Sequence, residues 1–557
     1  MNSLTSKRMM LTILSSLFIF FISCNKDNDL LLEAILEEEL EEVQGTEGET
    51  EEENTGEETE EENTGEESTD DSQADRNNNF HQVMFTDNQI ATMISRLSSG
   101  FSRPGTNGED ISRMINEAQE FLSAPNTGRL DWMPSSGIRE CRLGCDPVPI
   151  NIVNRNHYVA ENIFYAGLYA FILANRNQDG DIEYAEQLAK AIAAQTLNRA
   201  NDPNLDFTNR SSWLDGVETN PFFLTAAWLE KTLNNWSLIK SMGLDTGLTN
   251  EEEETVENWF KDGRNWLYDK LTNHYIDGYG SNWKSSASST GYNMKYSGSN
   301  NAVIAINTVE QTNYTVNHAA VLPHWNVPSK YASYLHYYGL IFQDQAALDL
   351  SETWYQNVFK LSVFPDGTST ELKRATSSIP GQGIQYWCIT MSTLTSIAHS
   401  HAVAVLQGNP IVQGYSYSYF YDYTTSEGLS DYLPSHAGSD TKGGTKGLEN
   451  YLLAFTKYLG QSTGLNGWGA VRQVNASGYP THEMTRKFHY MVPIAQANAY
   501  YNNGTLQNAY SGTGGFQRPL TKSEGAEWVG AWRESYMGGF GKYLIAFPYL
   551  ETEGITY

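Results

Sequence analysis

From about Phe80 onward, apolar residues recur three and four positions apart over several turns, which is the spacing of amphipathic α-helices. The pattern is clear in HYVAENIFYAGLYAFILA from His157 and in YAEQLAKAIAAQTL from Tyr184. It continues in FFLTAAWLEKTLNNWSLIKSM, EEEETVENWFKDGRNWLYDKL, YASYLHYYGLIFQDQAALDLSETWYQNVF, YWCITMSTLTSIAHSHAVAVL and KGLENYLLAFTKYL. Strand-like alternation is sparse, with GKYLIAFPYL near the C-terminus as the candidate. We predict a predominantly all-α domain in which antiparallel helix pairs form an incomplete α/α toroid or barrel, with minor β-structure near the C-terminus.

The first 23 residues have the pattern of a cleaved export signal. Lys7 and Arg8 precede the apolar run MMLTILSSLFIFFIS, which ends at Cys24. The run is too short for a spanning helix and no second span follows it. The sequence FISC resembles the lipobox of bacterial lipoproteins, which implies that Cys24 is lipidated and becomes the mature N-terminus. The alternative is an ordinary signal peptide with an incidental cysteine.

Three residues after Cys24 bear on localisation. Lys26, Asp27 and Asp29 resemble the lysine-plus-acidic tag that sends some lipoproteins to the outer face of the outer membrane. This resemblance implies an exported outer-membrane lipoprotein that contacts the membrane only through its lipid anchor. Exposure at the cell surface and a periplasmic orientation both stay open.

Residues 24–79 have the composition of a disordered acidic tether. From Asn25 to Arg76 the sequence holds 23 acidic and two basic residues, and the repeat ETEEENTGE begins at Glu49 and again at Glu58. Like charges repel one another and no aromatic residue nucleates a core, so we expect an extended spacer ahead of one folded domain over residues 80–557. The formal net charge of −31 disfavours nucleic acid as a partner, although much of it lies in this spacer.

The remaining cysteines allow more than one interpretation. Cys141 and Cys145 are four positions apart, and an exported location permits a disulfide between them. Two free thiols are the alternative. A metal site is disfavoured because no second pair or nearby histidine cluster completes four ligands. Cys388 has no sequence partner.

Two segments carry residue types suited to catalysis, whereas the phosphate loop, the dinucleotide fingerprint, HExxH and GxSxG are all absent from the sequence. The segments are NYTVNHAAVLPHW from Asn313 and FPDGTSTELKRATSSIPGQGIQYW from Phe364. They resemble the alginate lyase family with an α/α-toroid fold, in which an Asn-His pair opens a central helix and a later run ends in a tyrosine. The matching positions are Asn317-His318, Asp366-Gly367, Glu371-Leu372, Lys373-Arg374 and Tyr386. One departure is that SSIPGQGIQ lengthens the gap between Arg374 and Tyr386.

The resemblance implies a β-elimination on a uronate polymer that needs no metal or organic cofactor. Asn317 and Arg374 would hold the carboxylate and stabilise the charge that develops on it. His318 would serve as base, and Tyr386 would protonate the leaving oxygen or act as base itself. Each residue has a structural alternative. His318 could cap or pack a helix, Arg374 could pair with Glu371, and Tyr386 could be a packing residue.

Other residues could bind the substrate. Trp213 and Asn220 precede a helix and could face a groove, although Asn220 before Pro221 is equally a helix start. His482 and Tyr490 belong to a second polar cluster that could line the same opening or form a structural network. The loop YSYSYFYDYTTSEG from Tyr415 offers aromatic rings that could stack on sugars or pack against one another at the rim.

Two rival functions stay open. A glycoside hydrolase on a similar toroid would need two carboxylic acids, for which Asp215 can be paired with Glu218, or either with Glu371. A surface glycan-binding lipoprotein would keep the anchor and the aromatic residues without a base. The sequence does not decide which polyuronate is cleaved, whether cleavage is endo or exo, or the oligomeric state.

Overall fold

The computed structural model describes residues 80–99, 109–123, 165–201, 206–208, 220–272, 301–307, 312–317, 325–371, 382–428, 431, 441–456 and 488–510. Chain contacts divide the protein into Met1–Ala74 and Asp75–Tyr557. The described residues all belong to the second unit. The export signal, Cys24, the acidic spacer, Cys141, Cys145 and the C-terminal GKYLIAFPYL lie outside them.

Helices dominate the described residues and account for 73% of them. The predicted all-α class is therefore confirmed, whereas closure into a toroid stays a prediction. The helices are α1 (Asp87–Ser99), α2 (Glu109–Ser123), α3 (165–176), α4 (Asp181–Ala200), α5 (Asn220–Ser241), α6 (Asn250–Leu271), α7 (Asn326–Phe342), α8 (Gln345–Leu361), α9 (Gln382–Leu406), α10 (Leu448–Thr456), α11 (Phe488–Tyr501) and α12 (Gly504–Tyr510). None of these helices is both long and apolar enough to cross a membrane.

Local signals fix where several helices begin. Thr249 and Glu252 form a capping box at α6, in which each side chain accepts a hydrogen bond from the other residue's backbone N–H. Asp344 caps α8 by accepting from Ala347 N at 3.0 Å, and it also pairs with Arg264 of α6 at 2.8 Å. The cap of α8 is thus tied to a third helix, which positions the α7–α8 turn.

Helix α7 occupies the centre of the described fold. It packs against α5, α6, α8 and α9, and every residue from 328 to 341 is buried. Tyr334 illustrates how its polar groups are accommodated, since its hydroxyl donates to the carbonyl of Phe260 at 2.8 Å. A helix surrounded on all sides must satisfy its polar side chains through neighbouring helices.

Helices α7 and α8 form an antiparallel pair. The Ser351 hydroxyl donates to the carbonyl of Ala332 at 2.9 Å, and a Cβ on Gly339 would lie 2.6 Å from Leu348. Residues later in α8 therefore contact residues earlier in α7. The close approach at Gly339 shows why a larger residue would push the pair apart.

Helices α7 and α9 run parallel to each other. The ring centroids of His336 and His401 are 6.2 Å apart, and the Asn409 amide, just beyond α9, donates to the Leu340 carbonyl at 2.9 Å. Residue numbers rise together along the two helices, so both N-terminal ends lie at the same end of the pair. An antiparallel pair followed by a helix parallel to the first agrees with the predicted helix-pair architecture.

A β-hairpin that the periodicity did not predict precedes α7. Strand β1 (Asn301–Asn307) pairs antiparallel with β2 (Thr312–Asn317), with Asn301 opposite Asn317 and an irregularity between Ile304 and Asn307. Both strands contain three β-branched residues, which favour extended backbone. The structure thus differs from the expectation that Asn317 opens a helix, because Asn317 ends β2 and α7 begins only at Asn326.

A tight turn at residues 362–370 follows α8 and contains the start of the second motif. The Thr370 N–H donates to the Ser362 carbonyl at 2.8 Å, and the Phe364 N–H donates to the Thr368 carbonyl at 2.9 Å. Gly367, within the turn, has a φ of 86°. A second short ladder pairs β3 (Thr424–Thr425) with β4 (Lys446–Gly447) and leads into α10.

The turn predicts a specific glycine requirement. Gly367→Ala should lower the free energy of unfolding by about 2–4 kcal/mol, because a Cβ would sit 2.5 Å from the Asn450 carbonyl oxygen at a positive φ. Gly408→Ala is the matched control, since Gly408 has a φ of 71° and nothing within 4 Å of the added Cβ. The shift in urea midpoint measures both, and equal shifts would show that the contact with Asn450 does not matter.

Candidate functional site

Half of the eight predicted catalytic and substrate-binding residues lie outside the part of the chain that the structure describes. These are His318, Arg374, Trp213 and His482. For four others the structure gives a backbone position only. Asn317 is the last residue of β2, Asn220 is the first residue of α5, Tyr386 is the fifth residue of α9 and Tyr490 is the third residue of α11. The predicted helix start at Asn220 is therefore confirmed.

The parallel packing of α7 and α9 relates the two motif segments. The segment containing Asn317 leads into α7, and position 386 lies in the second turn of α9. Asn317 comes nine residues before the first residue of α7, and position 386 comes four residues after the first residue of α9.

The described part of the second motif is largely structural. The Asp366 carboxylate accepts hydrogen bonds from the backbone N–H of Thr368 at 3.0 Å and from its hydroxyl at 2.6 Å, which shapes the turn. Glu371 is only 1% exposed. It lies near Tyr451, whose pKa is raised well above its usual value, chiefly by burial. Glu371 is therefore enclosed rather than presented to a polymer.

A buried charged pair that no sequence pattern indicated lies between α5 and α7. Glu230 is 3% exposed and Lys330 is fully buried. Burial raises the pKa of the Glu230 carboxyl, and Lys330, Ser333 and Lys231 oppose that shift. Burial lowers the pKa of the Lys330 ammonium, and Glu230 opposes it. The two groups stabilise each other's charge electrostatically without a direct hydrogen bond, since within the described residues Lys330 Nζ and Glu230 Oε2 have no hydrogen-bond partner.

Tyr337 extends this polar region to α9. Burial raises its pKa well above the usual value, and Glu230 adds to that effect. Ser400 and Ser396 of α9 lie close enough to the phenol to lower its pKa in part. A continuous set of polar side chains therefore crosses from α5 through α7 to α9. Because these side chains are almost completely buried, they hold the three helices together and are not accessible to a polymer.

Three histidines share this interior. Burial lowers the pKa of His399 and of His401 to about 4, and it also lowers the pKa of His336 well below its usual value. His399 Nε2 lies 2.9 Å from the carbonyl oxygen of Met84, which fixes α9 against the segment ahead of α1. The three imidazoles are neutral at pH 7, so they add no charge to the core.

The tyrosine-rich loop from Tyr415 divides into packed and exposed residues. Phe420 packs edge-on against Tyr355 and His401, and Tyr421 stacks on Tyr500 with ring centroids 4.3 Å apart. These contacts support the prediction of rings packing at a rim. Tyr415 and Tyr417 differ, because they are 37% and 40% exposed.

The two ends of the loop lie at different places. The Tyr415 ring lies 5.4 Å from that of His401. His401 is fifteen residues beyond position 386, which corresponds to about 22 Å along α9. The end of the loop lies beside the last turn of α8, which leads into the second motif, because Tyr423 meets Phe359 at 6.0 Å and Glu427 pairs with Lys360 at 3.2 Å.

No metal centre is indicated in the described ranges, where no group of three or more His, Cys, Asp and Glu residues could hold an ion. Comparisons of the chain with family models, with curated proteins and with solved structures find no match.

The buried histidines predict an acid-sensitive fold. As pH falls from 6.5 towards 4, the unfolded chain takes up protons that the buried imidazoles do not, so the free energy of unfolding should fall. His401→Gln should remove up to about 3 kcal/mol of that loss, the equivalent of a shift from 6.5 to about 4. Urea unfolding of both proteins between pH 7.5 and 4.5 measures the difference. Parallel pH profiles would contradict the burial of a neutral His401.

Proposed function

We propose that the protein is a polysaccharide lyase that cleaves an acidic uronate polymer, such as alginate or glucuronan, by β-elimination. The observation that carries the proposal is the parallel packing of α7 and α9. In a parallel pair the two N-terminal ends lie at the same end; Asn317 precedes α7 in the chain and Tyr386 lies in the second turn of α9, which supports a site shared by the two segments. A reaction that needs residues from both segments requires such convergence.

The chemistry assigns a role to each residue of the motif. Asn317 and Arg374 bind the uronate carboxylate and stabilise the negative charge that grows on it as the C5 proton leaves. His318 accepts that proton, and Tyr386 protonates the C4 oxygen as the C4–O bond breaks. The products are a chain with a 4,5-unsaturated uronate at its non-reducing end and a chain with a new reducing end. Where the C5 proton and the C4 oxygen lie on the same side, Tyr386 performs both proton transfers.

The proposal extends to architecture and location. The described helix pairs are part of an incomplete α/α toroid, with Trp213, Asn220, His482 and Tyr490 contributing to substrate binding at its opening. Cys24 carries the lipid that anchors the protein to the outer membrane. The acidic residues between Asn25 and Arg76 extend the chain by mutual repulsion and hold the domain away from the lipid surface.

Enclosure of Glu371 disfavours one form of the rival hydrolase. A glycosidase needs two carboxyl groups facing one scissile bond, and Glu371, at 1% exposure, does not face solvent. Asp215 and Glu218 lie outside the described residues. The non-enzymatic rival is a glycan-binding lipoprotein, which would bind the same polymers without cleaving them.

The lyase activity predicts a rise in ultraviolet absorbance from the conjugated uronate when the purified chain is incubated with a panel of polyuronates. His318→Ala and Tyr386→Phe should each slow that rise by about 10²- to 10⁴-fold, because each removes a proton-transfer group. Tyr417→Phe is the matched tyrosine control. Tyr417 is 40% exposed in the loop that follows α9 and lies outside the buried interior of α7 and α9, so this change should leave the rate unaltered.

The other outcomes identify the rivals. New reducing ends without absorbance would indicate hydrolysis. Retention on a polyuronate matrix without either signal would indicate a binding protein. A rate that survives both His318→Ala and Tyr386→Phe would leave β-elimination standing but would refute the residue assignment.

A further inference from the structure

The described residues expose few large apolar side chains, and most of these lie in one region. They are Ile182, Leu406, Tyr415 and Tyr417. Three of the four fall between positions 406 and 417, at the C-terminal end of α9 and in the loop that follows. A local concentration of this kind on an otherwise polar surface commonly marks a binding site.

Neighbouring rings hold the exposed tyrosines in place. Tyr417 meets Tyr500 of α11 edge-on at 6.0 Å, and Tyr415 meets Tyr419 edge-on at 5.0 Å. Tyr500 is itself stacked on Tyr421. We call Tyr415, Tyr417 and Tyr500 the tyrosine patch. Because its rings are already ordered, a ligand that stacks on them loses little additional entropy.

Short polar groups surround the tyrosine patch. The hydroxyls of Ser416 and Ser418 lie 2.9 Å apart, and the exposed Asp422 carboxylate accepts a hydrogen bond from the Tyr500 hydroxyl at 2.8 Å. Flat rings beside hydroxyls and a carboxylate match a sugar, which presents C–H groups on its faces and hydroxyls at its edges.

Charge restricts the kind of sugar. Neither residues 409–428 nor α11 contains a lysine or an arginine, and the exposed Asp422 carboxylate lies beside Tyr500. Glu427, further along the loop, is paired with Lys360 at 3.2 Å. A polyuronate stacked on the patch would meet the Asp422 carboxylate, so an uncharged glycan fits the tyrosine patch better.

The size of the patch argues against a protein partner. With roughly 200 Å² for a whole tyrosine side chain, the exposed parts of Tyr415 and Tyr417 amount to about 150 Å². Stable protein interfaces bury about 800 Å² on each partner. One or two sugar rings match the available area.

We propose that the tyrosine patch is a second carbohydrate site that binds a neutral hexopyranose chain. It lies about 22 Å along α9 from position 386, so it is separate from the proposed catalytic end. The inference goes beyond the lyase function and does not depend on it. A protein with both sites could bind an uncharged polysaccharide while it acts on an acidic one.

Affinity electrophoresis of the full chain tests the proposal. Native gels would contain laminarin, glucomannan, hydroxyethylcellulose or polymannuronate. At least one of the three neutral polymers should retard the wild-type chain, and the double variant Tyr415→Ala/Tyr417→Ala should bind that polymer about tenfold more weakly or worse. Tyr415→Phe/Tyr417→Phe keeps the rings and should retain most of the retardation. Ile182→Ala is the matched control for loss of an exposed apolar side chain.

Several results would overturn the proposal. These are no retardation by any neutral polymer, retardation by polymannuronate alone, and unchanged retardation of the double alanine variant. Self-association in sedimentation that the double alanine variant abolishes would assign the patch to a second copy of the chain. Thermal melting by circular dichroism confirms that the variants fold.

The test is independent of the lyase proposal. The double alanine variant should release unsaturated ends from short oligouronates at the wild-type rate. Absence of that activity in every protein would refute the lyase and leave the gel result intact. Absence of gel retardation would refute the tyrosine patch and leave the lyase intact.

Discussion

Helix α7 carries a lysine, a histidine, two serines and four tyrosines into an interior with almost no solvent exposure. Each of these groups loses its hydration on folding, which costs stability unless a neighbouring helix offers compensating contacts. The contacts come from all sides: Glu230 of α5 faces Lys330, the Phe260 carbonyl of α6 accepts from Tyr334, and the Ala332 carbonyl accepts from Ser351 of α8. Rotation or sliding of α7 would break several of these contacts at once. The polar interior therefore specifies the position of the helix more narrowly than apolar packing would.

That positional restraint is what relates the two motif segments. Further along α9 from position 386, His401 meets His336 and the Asn409 amide meets the Leu340 carbonyl, and these contacts hold α9 against α7. The residues proposed for chemistry thus depend on a buried framework that takes no part in it. The same geometry separates the two proposed sites along α9. Its N-terminal end carries position 386 of the proposed catalytic motif, and its C-terminal end leads into the loop with the ordered tyrosines.

Helical periodicity predicts most of the described fold, since the amphipathic segments named from the sequence coincide with α4 to α9, and Asn220-Pro221 marks the start of α5. The hairpin before α7 escaped prediction because each strand has at most seven residues, too few for a clear period-two signal among polar neighbours. The pairing of Glu230 with Lys330 was not predicted, for another reason. A charged residue within a helical pattern is usually solvated, and nothing local in WLEKTL or PSKYAS reveals the opposing charge on another helix. For the Tyr415 loop, composition predicted aromatic contacts but could not separate packed rings from exposed ones.

The parallel alignment of α7 and α9 also has an electrostatic consequence. Each helix has a macrodipole equivalent to about half a positive charge at its N-terminus. In an antiparallel pair the two fields largely cancel, whereas in α7 and α9 they add at the end that position 386 occupies. The antiparallel α8 offsets one of the two and leaves the sum positive for these three helices. The backbone of these three helices therefore adds a local positive potential at that end, which favours an anionic ligand there against the background of a formal net charge of −31.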